Sequence, residues 1–113
     1  YDVARSLAQG QIVANNGPSV GLCDAIITPQ PGQLTFPIMQ RLCGPGLVVT
    51  DAQVKSAMRA AFSCLRIVLE PGGAVALAAA LYQPDQVAGD TVIAVATGGN
   101  VDAPLFAATR GHG

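Results

Sequence analysis

Apolar residues recur at Val54, Met58, Ala61, Leu65 and Val68, stepping by four, three, four and three. That period predicts an amphipathic helix with one packed face. Its start is written just upstream. Thr50 followed three places on by Gln53 makes "TDAQ" a capping box. Asp51 adds negative charge where the helix dipole is positive. Lys55, Arg59 and Arg66 fall away from the seam, and Pro71 with the glycines behind it is expected to end the helix. A second helix, about residues 73–82, is apolar almost all round and is expected to be buried on several sides. "TVIAVA", residues 91–96, is a continuous β-branched run without alternation. It predicts a strand covered on both faces of a parallel sheet.

The flanking pattern is weaker. "LVV", 47–49, predicts a short strand, and "DAPLFAATR", 102–110, a closing helix. "QLTFPIMQRLC", 33–43, has apolar residues at 34, 38, 39 and 42, a helical spacing, with Pro37 suited to the first turn. "GPG", 44–46, ends it, and 83–90 is a loop. Residues 1–9 are a short helix or loop, and 15–21 is turn chemistry. Residues 23–29 are a buried strand or a helix end, stopped by Pro29 and Pro31. Strand, helix, helix, loop, strand, helix is an α/β rhythm, a partial open parallel sheet flanked by helices.

Composition narrows the class. The 113 residues, 50% hydrophobic and 12% charged, make one domain at most and no disordered tail. A net charge of −1 without a basic block gives no reason to expect a nucleic-acid partner. No apolar run reaches the roughly 18–20 residues that a membrane span needs. Cys23, Cys43 and Cys64 are odd in number and far apart, and His112 is the one histidine. They read as free buried thiols in a reducing cytoplasm rather than a zinc site. The chain opens on Tyr1 and has few strand-like runs. It is expected to be a portion of a larger polypeptide, with a large exposed apolar surface when alone.

Ligands in open α/β sheets gather beyond the carboxyl ends of strands. Thr97 sits at such an end, and Gly98 and Gly99 would let a ring or phosphate approach the backbone. The same Thr-Gly-Gly also suits a helix cap or turn. Glu70, the one glutamate, is expected where a buried helix ends. It reads equally as a surface residue in a bend or as a carboxylate facing a polar ligand beside Thr97. Lys55, the one lysine, falls on the solvated face and reads as surface charge. No Ser-His-Asp or Cys-His set can be assembled around a terminal histidine.

Five stretches together resemble the carboxy-terminal part of the threonine/serine dehydratase family, the fold-type-II pyridoxal-phosphate enzymes that include serine racemases. They are "DVARSLAQG" (2–10), "CDAIITPQPGQLTFPIMQRL" (23–42), "LVVTDAQV" (47–54), "LEPGGAVALAAAL" (69–81) and "VATGGNVD" (95–102). The resemblance implies that residues 1–113 belong to the large catalytic domain. It implies that Thr97 hydrogen-bonds the pyridine nitrogen of pyridoxal 5'-phosphate, with Glu70 near the ring and Gly98 and Gly99 in the turn beside it. A neutral hydroxyl holds no proton on that nitrogen, so the ring is a weaker electron sink, which suffices for β-elimination. Asp2 falls where some members place a ligand to Mg2+ or Ca2+, although a helix N-terminal charge explains it as well.

The family's cofactor-bearing lysine lies in an "SFKxRG"-type motif that is absent here, so no catalytic residue is assigned within the chain. The implied whole is a cytoplasmic, homodimeric lyase. It would act on a small β-hydroxy amino acid, with the remainder of the polypeptide supplying the lysine. A serine racemase or a related hydroxy-amino-acid dehydratase is the alternative within the family. A catalytically inert assembly fragment is the alternative outside it. The reading requires residues 91–96 in a parallel sheet and the Thr97 side chain at a cavity.

Overall fold

The computed structural model describes residues 2–14, 30–87 and 89–110. The expected turn at 15–21, the 23–29 segment, Cys23 and His112 lie outside the described residues. The described residues fall into two compact units, one with residues 2–14 and 30–48, the other with 49–87 and 89–110.

The first unit carries α1 (Asp2–Gln9) and α2 (Phe36–Leu42). Gly10, at φ +73°, closes α1 in the left-handed region, and its amide donates to the Ser6 carbonyl at 2.9 Å. Ser6 is buried, and its Oγ accepts from the Val13 amide at 2.9 Å, so the hydroxyl is satisfied. Pro37 stands in the first turn of α2, as its fixed φ predicts. The apolar spacing there misleads, because Leu34 and Leu42 are exposed and Phe36 is the buried residue.

The second unit is built on α3 (Asp51–Ala60). The capping box forms with both bonds: Gln53 N donates to Thr50 Oγ1 at 3.1 Å, and Thr50 N donates to Gln53 Oε1 at 3.0 Å. Behind this cap, α3 packs against α4 (Val75–Tyr82) and α5 (Ala103–Arg110). Val54, Ala57, Met58 and Ala61 are buried in one core with Leu69, Ala74 and Ala78. Each fully buried large side chain there contributes about 1.5–3 kcal/mol. The alanines let α3 and α4 approach closely.

The helix stops earlier than its periodicity predicts. Residues 61–65 form a π turn, and Arg66 takes the left-handed conformation at φ +59°. That conformation costs a non-glycine residue roughly 1–2 kcal/mol. The return is that residues 67–70 leave the helix, without regular secondary structure, and bury Leu69 in the core. Leu65 and Val68, expected on the helical seam, are exposed. Residues 72–74 form a 3-10 turn that leads into α4, within the predicted second helix. That helix is only partly covered, however: Ala78 is buried while Leu81 and Tyr82 are exposed.

Among the described residues no strand is assigned, neither at 47–49 nor at 91–96. The parallel sheet that the reading requires around residues 91–96 is therefore not seen among the described residues. A strand exists only through a ladder to a neighbour. Residues 91–96 have none among the described residues, and Ile93 is 87% exposed and Val95 63%. These exposed apolar side chains match the expected exposed apolar surface.

Replacing Thr50 with alanine removes the cap and is expected to destabilise the protein by about 1 kcal/mol. Equilibrium denaturant unfolding measures it, and an unchanged midpoint would show that the box contributes nothing.

Candidate functional site

The return after the π turn lays residues 68–70 beside residues 98–99. The Glu70 amide donates to the Gly98 carbonyl at 3.0 Å. The packing is backbone against backbone. A Cβ on Gly99 would collide with the Val68 carbonyl oxygen, and one on Gly73 with the Gly98 carbonyl oxygen. A Cβ on Gly98 would stand 2.8 Å from Glu70 Oε1. Gly73 and Gly99 therefore serve backbone-to-backbone approaches that a side chain would force apart, whereas a Cβ on Gly98 would displace the Glu70 carboxylate. Val101 N donates to Gly99 O at 2.9 Å, which closes the turn.

Thr97 is exposed and lies immediately before this interlock. α5 begins only at Ala103, so Thr97 does not cap it. Glu70 is half-buried, and it sits in the irregular return after the π turn rather than at a helix end. Neither the Thr97 hydroxyl nor the Glu70 carboxylate has a hydrogen-bond partner among the described residues. Of the expected site residues, the fold thus brings Glu70 and Gly98 into contact and sets Gly99 against Val68. Thr97 joins them by sequence adjacency. Gly73 and Val68 lie outside the expected site residues. The Gly-Gly pair in "EPGGA" is the one sequence signal for Gly73, and it also reads as a plain helix start.

The other candidates separate from this wall. Lys55 is exposed, as a residue off the helical seam should be. Cys43 and Cys64 are free but exposed, against the expectation of buried thiols. Each lies on a surface that the rest of its unit does not cover. Asp2 opens α1, and no group of three or more His, Cys, Asp or Glu able to hold a metal occurs among the described residues.

A groove of about 320 Å³ lies elsewhere, lined by Arg59, Ala60, Ser63 and Arg110. Arg59 Nη1 donates to the Thr109 carbonyl at 3.2 Å and Nη2 to Ser56 Oγ at 3.0 Å. The Arg110 guanidinium stacks 4.2 Å from the Phe62 ring centroid, and Phe62 meets Phe106 edge to face at 5.4 Å. Both arginines sit in last helical turns, where positive charge answers the dipole. They tie α5 to α3.

Comparison with known proteins gives a consistent result. The family described as "Pyridoxal-phosphate dependent enzyme" matches residues 2–98. The chain is 36% identical over 101 residues to a beta-hydroxyaspartate dehydratase of Paracoccus denitrificans (strain Pd 1222), covering 89% of this chain and 31% of that protein. It is 36% identical over 104 residues to a serine racemase of Dictyostelium discoideum, covering 89% and 32%. Among solved structures, a threonine deaminase from T.th. superposes with a TM-score of 0.83 at 33% identity, over 89% of this chain and 36% of that one. The chain thus spans about a third of the length of the curated relatives it matches.

Gly99→Ala must push the Val68 carbonyl aside and is expected to cost roughly 1–3 kcal/mol. Gly44→Ala, which meets nothing within 4 Å, should stay within about 0.5 kcal/mol of the parent. Thermal unfolding of both variants checks the pair, and equal behaviour would refute the interlock.

Proposed function

Because this chain belongs to the family of pyridoxal-phosphate dependent enzymes, we propose that it forms one wall of the cofactor site in an ammonia-lyase for β-hydroxy amino acids. The observation that carries the reading is the contact between Glu70 and Gly98 beside Thr97. A half-buried carboxylate and an exposed hydroxyl, both without partners among the described residues, flank bare glycine backbone. Such a surface suits a flat heteroaromatic ring that needs one neutral hydrogen-bond donor and close approach. In the complete enzyme these residues belong to the carboxy-terminal part of the large domain, whose parallel sheet would cover residues 91–96.

When bound, pyridoxal phosphate supplies an electron sink for the α-carbon of the substrate. The chain's own residues orient it. Thr97 would hold the ring nitrogen through its hydroxyl, and as a neutral group it would leave that nitrogen unprotonated. Glu70 would lie at the neighbouring edge, and Gly98 and Gly99 would leave room for the ring. The net reaction removes the α-proton and the β-hydroxyl as water, leaving an enamine. Its tautomerisation to the imine, followed by hydrolysis, gives a 2-oxo acid and ammonia. The lysine that tethers the cofactor lies elsewhere in the polypeptide. Asp2 would give one oxygen to a Mg2+ or Ca2+ whose other ligands lie outside this chain.

A second reading is amino-acid racemisation, favoured by the equal identity to a serine racemase. It uses the same wall and replaces the proton instead of expelling hydroxide. In either reading the enzyme works as a cytoplasmic homodimer. No helix among the described residues is long and apolar enough to cross a membrane.

Assay of the holoenzyme with serine, threonine and 3-hydroxyaspartate separates the readings. 2-Oxo acid release is expected, whereas enantiomer exchange without it would establish the racemase. Thr97→Ala is expected to weaken cofactor binding by about 0.5–1.5 kcal/mol, roughly two- to twelvefold in Kd. Spectral titration measures it, and wild-type affinity would remove Thr97 from the site. Thr97→Asp is expected to hold a proton on the ring nitrogen and change the ratio of elimination to side products.

A further inference from the structure

We propose that Gly73 is a positioning residue that sets the Thr97 hydroxyl by pinning Gly98, an inference that rests on the reading of Thr97 just given. Gly73 is buried in the 3-10 turn Gly72–Ala74. A Cβ there would overlap the Gly98 carbonyl oxygen and stand 3.0 Å from the Gly98 nitrogen. Both peptide groups flanking Gly98 are therefore in reach of one added methyl, and the one on the nitrogen side joins Gly98 to Thr97.

Which partner would yield follows from burial. The Gly73 side continues directly into α4, and Ala74 and Ala78 are both fully buried in the core. Retreat there would compress close-packed side chains. Residues 97, 99 and 100 are exposed, so the loop moves instead. Its displacement stretches the 3.0 Å bond from the Glu70 amide to the Gly98 carbonyl and carries Thr97 with it. Gly73 touches no reacting atom in this scheme. It acts by the distance at which it holds its neighbour.

The test compares Gly73→Ala with Ala78→Gly. The second loosens α4 without adding an atom near Gly98. Two readouts are taken: hydrogen exchange of the Glu70 amide in cofactor-free protein, and cofactor Kd of the holoenzyme by spectral titration. Gly73→Ala is expected to raise both by roughly tenfold, the equivalent of about one hydrogen bond. Ala78→Gly should lower Tm and leave both readouts at the parent values. On a Thr97→Ala background the Gly73→Ala effect on Kd should vanish.

The proposal is overturned by parental exchange or parental Kd in Gly73→Ala, by an equal effect from Ala78→Gly, or by persistence of the Kd effect without the Thr97 hydroxyl. Failure of Gly73→Ala to fold overturns it as well, because the exposed loop would then not be the side that yields. An unchanged Kd in Thr97→Ala alone would instead strike the cofactor reading itself.

Discussion

Backbone-to-backbone packing between residues 68–73 and 98–99 is the constraint on which the candidate site depends. A carbonyl can sit against a neighbouring Cα only where no Cβ intervenes, and two glycines, Gly73 and Gly99, meet that condition here. The hydrogen bond from the Glu70 amide to the Gly98 carbonyl then fixes the register of the two segments. A single slip would separate the carboxylate from the threonine loop. The glycines are thus spacing elements, and their cost in chain entropy is offset by the core that stands behind them.

That core explains why the helix ends where it does. Continuing α3 as a regular helix to Pro71 would keep residues 66–70 helical. The π turn and the left-handed Arg66 instead release residues 67–70 from the helix. Leu69 then joins the core, while Glu70, next in sequence, reaches Gly98. Local strain at Arg66 is therefore coupled to the placement of the carboxylate. The arginine and aromatic contacts between α3, the π turn and α5 brace the same unit from another side.

In the proposed role the chemistry of this chain would be supporting chemistry: a neutral donor, a carboxylate and an approachable backbone. This division suits a coenzyme that carries the electronic work while the protein orients it. It also bears on the exposed Val92, Ile93 and Val95. In a parallel sheet such residues would pack against neighbouring strands and covering helices, which the proposal places in other parts of the fold.

Local rules made much of this legible. Thr50 with Gln53 announced the start of α3, Pro37 the first turn of α2, and the spacing of Val54, Met58 and Ala61 the buried face, because caps and helical periods depend on near neighbours alone. "EPGGAVALAA" and "TGGNVD" together carried the family for the same reason: they are contiguous. What the amino-acid order could not decide were the events that depend on distant partners. The end of α3 at Ala60, the exposure of Leu34 and Val68, and the absence of a ladder at residues 91–96 among the described residues each turn on what lies across space. So does the fit of Gly73 against Gly98, because whether a glycine is a hinge, a cap or a spacer is set by the atom that its missing side chain would have struck.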